Sequence, residues 1–194
     1  MRCQEKIFPW WEYLNFNCSE YMALVHQIQE FLKKKFDELK LTRKDFAEQS
    51  GIPYSTVTNI MQCLKANPTI SNILKIADYF KCSMDEVVRR NEYISLPNIE
   101  SLEFYKITSS DITSNIKKFL IDKVKKQNLN LYKLGMTIGF SNNSLHSFVN
   151  SNREQKTLNS QIVVALADYF EISLDEMVGR TAPTKDTDNG KSSD

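Results

Sequence analysis

The 194 residues predict an all-α protein made of two related five-helix units in tandem, and three observations carry that prediction. The stretch "ADYFKCSMDEVVRR" at 77–90 returns as "ADYFEISLDEMVGR" at 167–180, with nine of 14 positions identical at an offset of 90. Upstream the copies stay in step at an offset of 88: Phe31 and Leu32 meet Phe119 and Leu120, Leu41 meets Leu129, and Gly51 meets Gly139, so the second copy carries two extra residues in the stretch answering to 60–68. Apolar residues also recur at three- and four-residue steps throughout, whereas strand-like alternation is confined to a few residues of "SLEFYKI" at 101–107. Two copies are too few for a solenoid, and each unit is expected to close its own core.

The elements follow in order. Ile28, Phe31, Leu32, Phe36 and Leu39 mark the apolar face of a first helix over about 23–40, answered by Ile116, Phe119, Leu120 and Val124. Thr42, with Asp45 three residues on, opens a short second helix that Gly51 ends through a left-handed turn. Pro53 starts a third helix with Val57 and Ile60 facing inward. Two more are expected at 70–80 and 84–90, the last opened by Ser83 with Glu86, as Ser173 with Glu176 opens its copy. The units span 22–92 and 111–180, joined by a linker at 93–110. Residues 1–21 are an N-terminal extension whose aromatics either pack on a unit or precede a true initiator at Met22. The tail at 181–194 lacks large apolar residues and is expected to be disordered.

Composition narrows the function. With 41% hydrophobic and 25% charged residues, the chain reads as soluble globular material. Lys and Arg number 25 against 24 Asp and Glu, so a polyanion would have to be bound by local placement of charge. His26 and His146, with Cys3, Cys18, Cys63 and Cys82, have no metal-ligand spacing; no metal or cofactor is expected. Neither a signal peptide nor an apolar run of about 20 residues is evident, which points away from a membrane and to the cytoplasm. No carboxylate pair, nucleophile with His, or glycine-rich phosphate loop can be assembled, and with five glycines there is little material for one. An enzyme is not expected.

A short helix, a glycine turn and a helix exposing Tyr54, Ser55, Thr58, Asn59 and Gln62 together describe a helix-turn-helix. Amides and hydroxyls favour helices poorly but bond base edges well, whereas a structural surface helix would carry Glu and Lys; the bland alternative is that short polar residues crowd a helix start as caps. "LTRKDFAEQSGIPYSTVTNI" followed by "NPTISNILKIADYFKCSMDEVV" resembles the Cro and phage-repressor, or XRE-type, helix-turn-helix family. "LNLYKLGMTIGFSNNSLHSF" and "TLNSQIVVALADYFEISLDEMV" resemble it less closely. The resemblance covers about 140 of the 194 residues and implies a lambda-repressor-like fold in each unit.

What the resemblance implies is a double-stranded DNA-binding transcription regulator, a repressor; the sequence does not indicate a small-molecule effector. It sets Arg43 against a phosphate, Tyr54, Ser55, Thr58 and Asn59 against base edges, and Gln62, Lys65 and Asn67 near the backbone. In the second unit Asn142, Asn143, His146 and Ser147 fall at base-facing positions, and Asn150, Asn152 and Arg153 near phosphate. Leu131, in the place of Arg43, is expected to be exposed and leaves that unit without its anchor. Phe36 with Met61, and Val124 with Val149, replace the buried Arg and Glu pair found in many members, an exchange that is often neutral when both partners change. Two units must cooperate: either the tandem copies span successive grooves or two chains form a homodimer. The alternative function is a protein-interaction or dimerisation module, the second unit especially. The lysines at 33–35, and Lys117, Lys118, Lys123, Lys125 and Lys126, read as solvated faces. Cys82 reads as a small core residue, Cys63 as the replacement of a loop glycine, and His26 as lacking a partner.

Overall fold

The computed structural model describes residues 10–64, 68–90, 93, 106–151 and 157–181, with side chains from residue 23 onward. Its order is α1 (Trp10–Leu39), α2 (Arg43–Ser50), α3 (Tyr54–Met61), α4 (Ile70–Phe80), α5 (Met84–Val87), α6 (Ser109–Lys126), α7 (Leu131–Thr137), α8 (Asn142–Val149), α9 (Ser160–Tyr169) and α10 (Leu174–Met177). Among the described residues there is no strand. The expected disorder of 182–194 and the alternation at 101–105 lie outside the described residues.

Local chemistry sets the boundaries. Thr42 Oγ1 accepts the Asp45 N–H at 3.2 Å, and Ser83 and Ser173 accept those of Glu86 and Glu176 at 2.9 and 3.0 Å. Each satisfies a donor that the first turn of a helix leaves without an internal partner. Two boundaries depart from expectation. α1 begins at Trp10, so the helix runs unbroken through part of the head. α5 ends at Val87, not 90, because Arg89 turns left-handed at φ 57°; its counterpart Gly179 does the same at 77°.

Ile28, Leu32, Phe46, Val57, Ile60, Ile73 and Ile76 centre the N-terminal half of the core, and Ile116, Leu120, Leu145, Phe148, Val163 and Leu166 the C-terminal half. Phe36 and Met61 are buried there, and Val124 and Val149 are partly buried against the core, as the apolar exchange requires. The expectation of separate cores is not met: buried side chains of both halves form one connected cluster. α5 packs on α10 and α4 on α6, and Val88 and Val178, just past α5 and α10, belong to the same buried cluster.

Three surface expectations are also corrected. His26 has partners, with Nδ1 3.2 Å from Gln29 Oε1 and Nε2 3.2 Å from Glu30. Lys117 is half-buried, and its Nζ donates to the Ser151 carbonyl at 2.9 Å. Leu131 is not exposed: it is half-buried and packs on the core, as an apolar side chain able to turn inward should. Cys82 is buried, which pushes its thiol up to about 12. Cys63 adopts φ 50°, the left-handed conformation that glycine takes most readily.

Candidate nucleic-acid interface

α2 and α3 meet across the turn at Gly51, whose φ of 66° and ψ of 23° lie in the left-handed region. A residue with a Cβ is strained there, so glycine sets the angle between the helices. Val57 and Ile60 are fully buried and Met61 nearly so, which anchors one face of α3 and turns the other outward. On that outer side Tyr54 is 55% exposed and Ser55 and Gln62 are exposed, while Asn59 is half-buried. Arg43, at the first turn of α2, is exposed. Thr58 departs from the expected pattern: it is half-buried, with Oγ1 covered by protein atoms and hydrogen-bonded to none in the structure. Its hydroxyl is thus directed into the scaffold. Lys65 and Asn67 lie outside the described residues.

The scaffold holds this pair of helices by bonds that reading the sequence missed. Gln29 Nε2, on α1, donates to the Met61 carbonyl at 2.7 Å and ties down the end of α3. Lys75 Nζ donates to the Gly51 carbonyl at 2.9 Å, and the Tyr79 hydroxyl to Gln49 Oε1 at 2.7 Å, so α4 braces both the turn and α2. One signal existed: Gln29 interrupts the apolar stripe of Val25, Ile28 and Leu32, and a polar residue in a buried stripe needs a specific partner.

In the C-terminal half, α7 and α8 follow α6 with a turn through Gly139 at φ 80°. α7 comes close to α8: a Cβ on Gly135 would lie 3.1 Å from the Ser141 carbonyl oxygen. Asn142, Asn143 and Ser147 are exposed on α8. His146 is half-buried and stacked on Tyr132, with centroids 4.7 Å apart and planes at 23°. Asn150 is exposed, and its Nδ2 donates to the His146 carbonyl at 3.0 Å. Asn152 and Arg153 lie outside the described residues. Tyr132 and Met136 are 39% and 58% exposed on α7, where α2 has the charged Lys44 and Glu48.

Among the described residues no group of three or more His, Cys, Asp and Glu side chains is arranged to hold a metal, and no helix is long and apolar enough to cross a membrane. What the first half offers is a helix seated on a buried apolar face with a polar strip on its other side, packed against a second helix whose first turn carries an exposed cation, which defines a helix-turn-helix of the DNA-binding kind.

Comparison with known proteins agrees. The helix-turn-helix family model matches residues 32–87, from within α1 to the end of α5. An uncharacterized HTH-type transcriptional regulator of Rickettsia conorii is 48% identical over 83 residues, which are 40% of this chain and 76% of that protein. One of Rickettsia prowazekii is 46% identical over 83 residues, 40% of this chain and 90% of that protein. No solved structure matches. The chain belongs to the helix-turn-helix family of DNA-binding transcription regulators.

Proposed function

We propose that the protein is a sequence-specific repressor that reads the major groove of double-stranded DNA with α3, and that the C-terminal half is a second helix-turn-helix unit presenting α8 in the same way. The reading rests on one observation above the others: the polar strip of Tyr54, Ser55 and Asn59 stands on a buried apolar base, and the helix packed against it, α2, carries an exposed Arg43 in its first turn. Arg43 positions the chain on a phosphate, Tyr54, Ser55 and Asn59 read base edges, and Gln62 approaches the backbone beyond, with Lys65 and Asn67 following it. Thr58 supports the strip from beneath. In the second half Asn142, Asn143 and Ser147 read, His146 is steadied by Tyr132, and Asn150 and Arg153 approach phosphate. Repression follows from occupancy, since a chain seated in the groove excludes other proteins from it.

A titration of random and selected duplexes against salt tests this. Several phosphate contacts predict a steep fall of affinity with salt and a selected motif above the non-specific background. Salt-independent, sequence-blind binding would instead favour the interaction-module reading, which the exposed Tyr132 and Met136 recommend for the C-terminal half.

A further inference from the structure

The most alike segments of the two copies are the ones that touch. Asp85 Oδ2 accepts the backbone N–H of Leu174 at 2.9 Å, and Asp175 Oδ2 accepts that of Met84 at 2.9 Å, so each aspartate caps the other half's last helix. Arg90 pairs with its own Asp85, reaches across to Asp168 Oδ1 at 2.7 Å, and donates to the Ile172 carbonyl at 3.1 Å. Arg180 pairs with its own Asp175 at 2.7 Å, reaches across to Asp78 Oδ1 at 2.8 Å, and donates to the Cys82 carbonyl at 2.8 Å. Every contact has its mirror at an offset of 90. The two arginines and Asp85 and Asp175 are buried; Asp78 and Asp168 are half exposed at the rim.

Reciprocity of this kind decides the symmetry. When residue i meets j and the counterpart of j meets the counterpart of i, the surfaces are self-complementary and the units are related by a two-fold rotation; a head-to-tail repeat would bring unlike patches together. A two-fold between readers places their targets on the duplex as an inverted pair. The readers themselves have nothing in common: Tyr54–Met61 and Asn142–Val149 share no identical residue at their eight aligned positions.

We propose that a single chain is an internally two-fold reader, which recognises an inverted pair of unlike half-sites at one spacing, with the Asp–Arg clasp setting the register between α3 and α8. This rests on the DNA-binding reading above and adds the form of the operator to it. Because the second half-site is met by a tethered and oriented unit, a duplex holding both should bind about 100-fold or more tightly than one holding either alone.

The test is site selection from random duplexes with the full chain, followed by sedimentation of the complex. Two different half-sites in inverted orientation, at a single spacing, with one chain per duplex, is the expected result. Asn143→Ala, a surface change, should alter only one half of the selected site. Asp78→Lys with Asp168→Lys sets like charge against Arg180 and Arg90 from the exposed rim, leaves the buried groups in place, and should lower the preference for that spacing about tenfold. A palindrome held by two chains, a direct repeat, or a single half-site indifferent to Asn143→Ala overturns the two-fold reader while leaving α3 as a reader. Loss of any sequence preference at low salt overturns both readings together.

Discussion

The segments 77–90 and 167–180 share nine of 14 residues, while the two helices on the outward faces share none of eight. The alike pair is buried against itself, and the unlike pair faces solvent. A self-complementary contact requires each group twice, so a change on one side breaks a bond on the other. An outward strip is under no such constraint and is free to take on a different partner in each copy. The two halves also differ at the start of the helix before the turn: the first has Arg43, exposed, where the second has Leu131, half-buried against the core.

The largest effects should come from the clasp. Burial pushes the Asp85 carboxyl up, to about 7, against the pull of Arg90, and moves Asp175 in the same direction against Arg180. Removing either guanidinium leaves such a carboxylate without its counter-charge, so Arg90→Met and Arg180→Met should each cost about 3–5 kcal/mol in denaturant unfolding of the full chain. Comparable losses are expected, because the two sides make the same bonds; a loss confined to one variant would break the equivalence.

A smaller effect belongs to the readers. Asn59→Ala should relax preference at one base position by about 1–3 kcal/mol, seen as a changed column in the selected motif. An unaltered motif would remove Asn59 from the readers. Smaller again, Arg43→Ala should weaken binding to every sequence alike and reduce the magnitude of the salt slope by about one, whereas Leu131→Arg, which restores a cation in the second half, should raise it by about one. Equal slopes in all three proteins would end the contrast between the halves.

The gentlest test is pH. Asp85 has a folded-state value near 7, above its ordinary 3.8, so between those values the folded chain holds a proton that the unfolded chain has released. Its contribution to stability therefore falls as pH rises through that window. Asp85→Asn should lack this part of the slope, and identical pH profiles for the two proteins would contradict it.

Much of the fold was legible because it is local. Thr42, Gly51, Ser83 and Ser173 act on neighbours within three residues, and the step of Ile28, Phe31 and Leu32 marks a face irrespective of what covers it. The candidate reading strip was legible for the same reason, since Val57 and Ile60 declare which way Tyr54 and Ser55 point. Thr58 and Leu131 were misread because each sits at the edge of a face, where the neighbouring helix decides the rotamer. Lys117 was misread because its partner, the Ser151 carbonyl, is brought to it by the packing of another segment, whereas the partners of His26, Gln29 and Glu30, stand three and four residues on along the same helix and were within reach of the sequence.

By itself the sequence determined the helices, their caps, the turn at Gly51 and the fact of repetition, all of which depend on residues a few positions apart. Only the tertiary structure decided that the repeated aspartates and arginines meet one another across the halves, Arg90 with Asp168 and Arg180 with Asp78, because periodicity says which face is buried and never against what.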